Sequence, residues 1–571
     1  MKKTLLYGCL FFFTLFLLSL QTGKHREIVP DEELLSCAPP GAGMAGIRPD
    51  ASGRYVPVLP GWGHYHYKVS TTNDSAQFYF DQGLNLYYSY HLPEALASFK
   101  EAARNDSSCA ILYWGQALAM GPYYNNTYYY KASPNVQSIL LQMNRLADQA
   151  SPKERDLIAV MNRRYDADAG DVHRAGLNRA YSEGMQRLIG TYPADPDIKA
   201  LYVDGVMIEH AWDMWDDKGI AKTWTPELIK YCADILAENP LHPAALHYQI
   251  HLVEASLHPE AALHSADVLQ GLMPGVAHMV HMASHMYQRN GLYSKGVVIN
   301  DRANAAQHHY DSLARQLHLG DAVVHYDAVE AFCALNAGMY VKGMRSAERA
   351  RQIMAGNPAS LSGRTYSQYL YSMPLFVRVR LGKWQEILDA PVPDSGLVYA
   401  RLLNDFGRGL AYLRMGKMSD AWDCLARIHE KIADSVLRIR RLPQNAPIEG
   451  AKVAEGILAG EIFFANQRYG EAMSFFTQAI LREDRMSYGE PKDWPLPVRH
   501  FAGACLLREG RATDAEDLYR KDLELNPGNG WSLLGLYQCL EAQHKKEAAG
   551  YKIQYTAAFA EAEEVPTASA Y

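Results

Sequence analysis

The sequence predicts an all-α protein, a right-handed solenoid of stacked helix hairpins, and three observations carry that prediction. Apolar residues recur at helical spacing along most of the chain, among abundant helix formers. No run alternates apolar and polar residues over the length of a strand. Equivalent residues return 34 positions apart, as Cys505 and Cys539 do and as Pro240 and Pro274 do. At 571 residues the chain is too long for one compact core, and stacked repeats keep every apolar helix face covered.

The repeat is plainest near the start. Gly83, Ala95, Phe99 and Ala102 follow one another at offsets of twelve, four and three, which are tetratricopeptide spacings. Small residues let two helices of a hairpin approach, and Phe99 fills the space beneath them. The offsets recur as Gly409, Ala421 and Leu425, as Gly460, Ala472, Phe476 and Ala479, and as Gly503, Ala515 and Tyr519 ending at Pro527. Pro240 and Pro274 sit at helix-ending positions and keep the period through the middle. Stacked hairpins of this kind present a concave surface lined by their first helices.

Outside the repeats, Lys2 and Lys3 precede an apolar run from Leu5 to Leu20, and Lys24, His25 and Arg26 follow it. That order reads as an export signal or an uncleaved N-terminal anchor over 1–23, placing the chain in the periplasm or on a membrane facing it. Residues 24–60 read as a tether, 61–345 as an N-terminal helical domain, 346–560 as further repeats, and 561–571 as a loose tail. No later segment reaches eighteen apolar residues, so membrane contact is expected only through the N-terminal segment. The net charge of −7 gives no basic field to gather phosphates, which excludes nucleic acid as a partner. The cysteines fall singly along the chain, against a disulfide framework.

Histidine carries the chemistry. Ten of the 21 histidines lie between Leu241 and His309, where random scatter would place roughly two or three. His247, His251 and Glu254 stand at i, i+4 and i+7, and His278, His281 and His285 at i, i+3 and i+7, so each trio shares one helix face. His281 and His285 lie one 34-residue period beyond His247 and His251, which puts the two faces at equivalent positions of successive repeats. First helices of neighbouring repeats pack about 8–10 Å apart, close enough for imidazoles on both to meet one ion. The expected site is therefore His247, His251, Glu254, His278, His281 and His285 around a transition metal such as zinc, copper or iron, mononuclear or dinuclear, with calcium and magnesium disfavoured by the nitrogen donors. Glu254 is expected as a ligand or as base to a bound water. Met279, Met282 and Met286 lie nearby and would favour copper, although a methionine stripe on a helix is more often core. No zincin motif, phosphate loop or nucleophile elbow is present, so the sequence does not establish catalysis.

Tyrosines 87, 88, 90, 123, 124, 128, 129 and 130 give the first repeats an aromatic character that suits either a ligand groove or interhelical packing. The words His64-Tyr-His66, Phe80-Asp-Gln-Gly83, Tyr113-Trp114-Gly115, Trp212-Asp213-Met-Trp215, His247 through Glu254, His278 through His285 and Asn526-Pro527-Gly-Asn529-Gly-Trp531 together resemble a broad bacterial family of exported tetratricopeptide-repeat proteins, mostly without assigned function. The resemblance spans most of 61–310 and 488–555. Ala283 stands where members often have proline after His-Met. The resemblance implies a shared histidine site with no named reaction, to which His64, His66, His210, Asp213 and His325 are further candidates. The rival expectation is a metal-free adaptor whose concave groove binds a peptide or partner protein, with the histidines as hydrogen-bonding groups.

Overall fold

A computed structural model describes residues 47–166, 171–314, 324–441 and 443–571. The predicted signal or anchor at 1–23 and most of the tether lie outside the described residues. Among the described residues the protein is all-α with no strand, and β-pairing is limited to isolated bridges such as that between Trp215 and Ala221. No helix there is long and apolar enough to cross a membrane.

The N-terminal helices are α1 (Asp74–Tyr88), α2 (Leu92–Asn105), α3 (Ala110–Ala119), α4 (Val136–Leu146), α5 (Pro152–Met161), α6 (Arg174–Thr191), α7 (Pro196–Glu209) and α8 (Thr225–Glu238). The middle of the chain contributes α9 (Pro243–Val253), α10 (Leu263–Leu272), α11 (Ala277–Arg289), α12 (Tyr293–Ala314), α13 (Val324–Asn336) and α14 (Tyr340–Ala355). Short helices α15 (Pro358–Gly363), α16 (Thr365–Tyr371), α17 (Met373–Arg380) and α18 (Trp384–Asp389) lead to α19 (Val398–Arg414), α20 (Met418–Ile432), α21 (Pro447–Ala465), α22 (Tyr469–Glu483), α23 (Val498–Arg508), α24 (Ala512–Leu525), α25 (Gly530–Ala542) and α26 (Ala548–Ala558).

The repeat spacing is a packing rule. A Cβ placed on Gly83 would lie 2.7 Å from the Phe99 ring, and one on Gly115 of the next repeat would strike the same ring from the other side. Tyr519 is enclosed in the same way between Gly503 and Gly535, and Phe476 lies under Gly460. Phe99 and Tyr519 are therefore each clamped between first helices of successive hairpins, which locks repeat to repeat and not only helix to helix. The turn inside a hairpin needs one residue with φ in the left-handed region, seven positions after the small residue. Gly291, Gly338, Gly416 and Gly510 fill it at φ between 70° and 80°. In the first hairpin that residue is Tyr90, with φ 58°.

The stack closes on itself. Gly291, at the α11–α12 turn, lies against the backbone of Gly528 at the α24–α25 turn. Arg289 donates to the carbonyls of Glu254 (2.9 Å), Ser256 (2.7 Å) and Leu525 (3.2 Å), joining α9, α11 and the C-terminal repeats. Residues 561–571, expected as a loose tail, are seated on earlier helices. Ser569 is buried and donates to the His500 carbonyl, and the Tyr571 carbonyl accepts from Arg414. The C-terminal part of the tether packs as well: Val56 and Leu59 are buried, and Glu101 accepts from the Tyr55 backbone. Residues whose partners lie 46 to 157 positions away read as linker or tail in a local window, because nothing local reveals what covers them.

Candidate metal centre

Helix α9 starts at Pro243, whose missing N–H suits the first turn, and the His242 ring caps it by accepting from the Ala245 N–H at 3.3 Å. The helix runs eleven residues, and Glu254 follows as its C-terminal cap residue. Helix α11 begins just after the Pro274-Gly275 turn. Their registers bring His247, His251 and Glu254 to face His278, His281 and His285, as the 34-residue arithmetic predicts. All six are within 1% of complete burial. The expectation of an open concave groove therefore gives way to an enclosed centre.

The histidines form two sets. In the first, the His247 Nε2 lies 3.1 Å from the Nε2 of His251 and 3.1 Å from that of His278. In the second, the His281 and His285 Nε2 atoms are 2.9 Å apart, and His325 from α13 completes the trio. The three donor atoms of each set lie within 4.8 Å of one another.

The other ring nitrogens decide the tautomers. The His247 Nδ1 is 2.7 Å from the Tyr88 carbonyl, which can only accept, so Nδ1 carries the hydrogen. The His251 Nδ1 lies 3.0 Å from Glu254 Oε1. The His285 Nδ1 sits 2.9 Å from Glu254 Oε2 and 2.5 Å from Glu490 Oε2. The His281 Nδ1 donates to Asn300 Oδ1 at 2.6 Å, the amide being oriented by its own donation to the Gly296 carbonyl. His247 and His281, whose Nδ1 partners can only accept, thus turn bare Nε2 lone pairs inward, and the Nε2 atoms of His251 and His285 lie 3.1 and 2.9 Å from them. A proton on the His278 Nε2 reaches only one member of the first pair.

A proton shared between rings is a poor remedy, because burial holds the His247, His251, His278 and His281 side chains well below the ordinary imidazole range and their mutual charge repulsion adds to it. Burial likewise pushes His325 down to about 3. A metal ion does relieve the repulsion. Imidazole nitrogens about 2.0–2.1 Å from a tetrahedral ion stand about 3.3 Å apart, close to the spacing seen here. Anchoring of the opposite ring nitrogen by a carbonyl, amide or carboxylate is also how metal-bound histidines are held.

Glu254 sits between the sets, one oxygen on His251 and the other on His285, and fully buried. Burial, with the neighbouring Glu490 carboxylate adding to it, pushes its carboxyl up to about 8. It also forms a third possible donor group with His251 and His285. Glu490, on the segment between α22 and α23, was not foreseen from the sequence. It is held by Gln288 and Tyr488, and burial raises its carboxyl well above the usual range.

Aromatic rings cover the centre. Tyr90 lies 4.6, 5.7 and 5.9 Å, centroid to centroid, from His247, His251 and His278. Tyr124 is 5.0 Å from His251 and is stacked on Trp212 at 5.1 Å. Tyr90 and Trp212 are two of the few non-glycine residues with positive φ, the latter at 59°. Strain of about 1–3 kcal/mol at such positions persists only where the surroundings impose it, and both border the histidines.

Other candidates lie elsewhere. His64 and His66 are exposed, with His66 paired to Asp81. His210 stacks on Trp224, and Asp213 pairs with Lys222. Met279, Met282 and Met286 are fully buried in the apolar core, as a packing stripe would be.

No protein-family model matches this chain, and no curated protein matches it. Solved structures match weakly over long stretches. A human IFIT1 dimer with m7Gppp-AAAA aligns at 10% identity and TM-score 0.32, over 87% of this chain and 97% of that one. The human IFIT1 dimer with PPP-AAAA gives 12% identity and TM-score 0.28, over 87% and 97%. Yeast Tom70 gives 9% identity and TM-score 0.25, over 85% and 93%. Similarity of that order carries no inference about what this chain binds.

Proposed function

We propose that this protein is a tetratricopeptide-type scaffold built around a buried pair of transition-metal sites, one held by His247, His251 and His278 and the other by His281, His285 and His325. Glu254 joins the two through their outer ring nitrogens, and Glu490 braces the second. The observation that carries the reading is the convergence of three buried histidine nitrogens within 4.8 Å of one another in each set, with the inward Nε2 lone pairs of His247 and His281 fixed by partners that can only accept. Neutral nitrogen donors in trios suit zinc, copper or iron. The apolar run at the N-terminus supports a location outside the cytoplasm, on or beyond the membrane.

The test is elemental analysis of protein purified without an affinity tag, beside His247→Ala, His281→Ala and the double variant. Two ions per chain are expected, falling to one in each single variant and none in the double. Equal trace metal in all four proteins overturns the reading. It would leave the metal-free adaptor, for which a defined partner captured equally by wild type and double variant is the positive result.

A further inference from the structure

A second cluster of buried polar groups adjoins the first histidine set. Tyr90 and Tyr248 flank the His247 ring at 4.6 and 5.7 Å, and their own rings stack at 6.0 Å. Their hydroxyls are buried and make no hydrogen bond. Asp204 of α7 is fully buried. Its Oδ2 accepts from the Tyr87 hydroxyl at 2.5 Å, while Oδ1 has no partner. Arg164 donates to the Pro122 carbonyl through Nη2 and lies over the Tyr181 ring at 4.5 Å, leaving Nη1 without a bond.

These four residues are each no more than 1% exposed, and Asp204 acts electrostatically on Tyr90, Tyr248 and Arg164. Buried polar atoms in native proteins are almost always satisfied, by protein or by ordered water. These four orphans, the strained Tyr90 among them, together with the unpartnered Tyr181 hydroxyl beside Arg164, define a place for a ligand. One carboxylate and one guanidinium balance in charge, so the ligand is neutral. It must donate to Asp204 Oδ1, accept from Arg164 Nη1, and bond two phenols, which water does.

We propose that Asp204, Arg164, Tyr248 and Tyr90 hold a short file of bound water that leads to the first histidine set and supplies the remaining coordination position of its ion. The destination of the file rests on the metal reading; its existence does not.

Oxygen-17 relaxation dispersion of solvent water detects long-lived internal waters. The full chain, stripped of metal, is compared with Tyr248→Phe, which keeps the ring, and with Tyr248→Phe plus Asp204→Leu. The wild type is expected to show an internal-water amplitude that the variants lose in steps. Equal amplitude in all three overturns the file. Copper(II)-loaded protein then reports the destination: at equal copper content, the enhancement of bulk-water relaxation should drop in the variants, and an unchanged enhancement refutes the connection. If the wild type binds no copper, the metal reading and the connection to it fail together, while the metal-free amplitudes still decide whether the file exists.

Discussion

Removing one ring should halve the stabilisation that metal confers. In the wild type, an ion present at one hundred times its dissociation constant adds about 2.7 kcal/mol per site, so two sites add about 5 kcal/mol. For a cooperative unit of 150–250 residues, each kcal/mol moves the melting temperature about 2–4 °C, which puts the difference between zinc-loaded and chelated wild type at about 10–20 °C. His247→Ala removes the ring lying 3.1 Å from both partners in the first set and leaves the second set whole. It also strands the Tyr88 carbonyl, a cost of about 1–3 kcal/mol present with or without metal. Absolute melting temperatures therefore mix two effects, and the metal-dependent difference isolates one. Differential scanning calorimetry with zinc and with excess chelator should show that difference falling to about half in His247→Ala. A wild type that melts at one temperature under both conditions refutes the lone-pair argument, and a full-sized difference in the variant refutes the assignment of His247.

Stripped wild type should lose more stability than stripped His251→Ala as pH falls from about 6.5 towards 4.5. The His251 ring has a lowered folded-state value, so it takes up a proton there in the unfolded chain and not in the fold. Its removal should flatten the pH dependence by about one proton, about 1.4 kcal/mol per pH unit, and urea titrations in which the two proteins run parallel would contradict it. Tyr90→Gly should relieve the turn strain yet uncover the first set, so the chelator should extract metal faster than from wild type; an unchanged extraction rate means that Tyr90 is no cover. Glu490→Ala should loosen the second ion more than the first, measured as the loss of one ion on dialysis, and equal loss from both sets speaks against its bracing role. Gly83→Ala presses a methyl group onto Phe99 and should destabilise the first repeats by about 1–3 kcal/mol in thermal unfolding, whereas a neutral result would show the ring free to move.

Much of the centre was legible because a helix turns local spacing into a shared face. His247 and His251 four residues apart, repeated 34 positions later as His281 and His285, required no knowledge of the rest of the chain. His325 was visible only as a loose candidate, since it stands off the 34-residue count that relates His251 to His285. Glu490 left no local signal: a single acidic residue beside a proline carries no periodicity that points two hundred positions back. Tyr90 had a clue that went unread, for it occupies the turn position where Gly416 and Gly510 stand in later repeats, seven residues after the small residue.

The sequence by itself determined the helices, their repeat period and the faces on which imidazoles gather, because these follow from interactions within a turn or between adjacent hairpins. Only the tertiary structure decided which nitrogen of each ring faces inward, that the groove is closed by aromatic rings, and that Glu490 braces His285. Those features depend on a superhelix returning upon itself, and such contacts arise from the accumulated rotation of many repeats, which no local window contains.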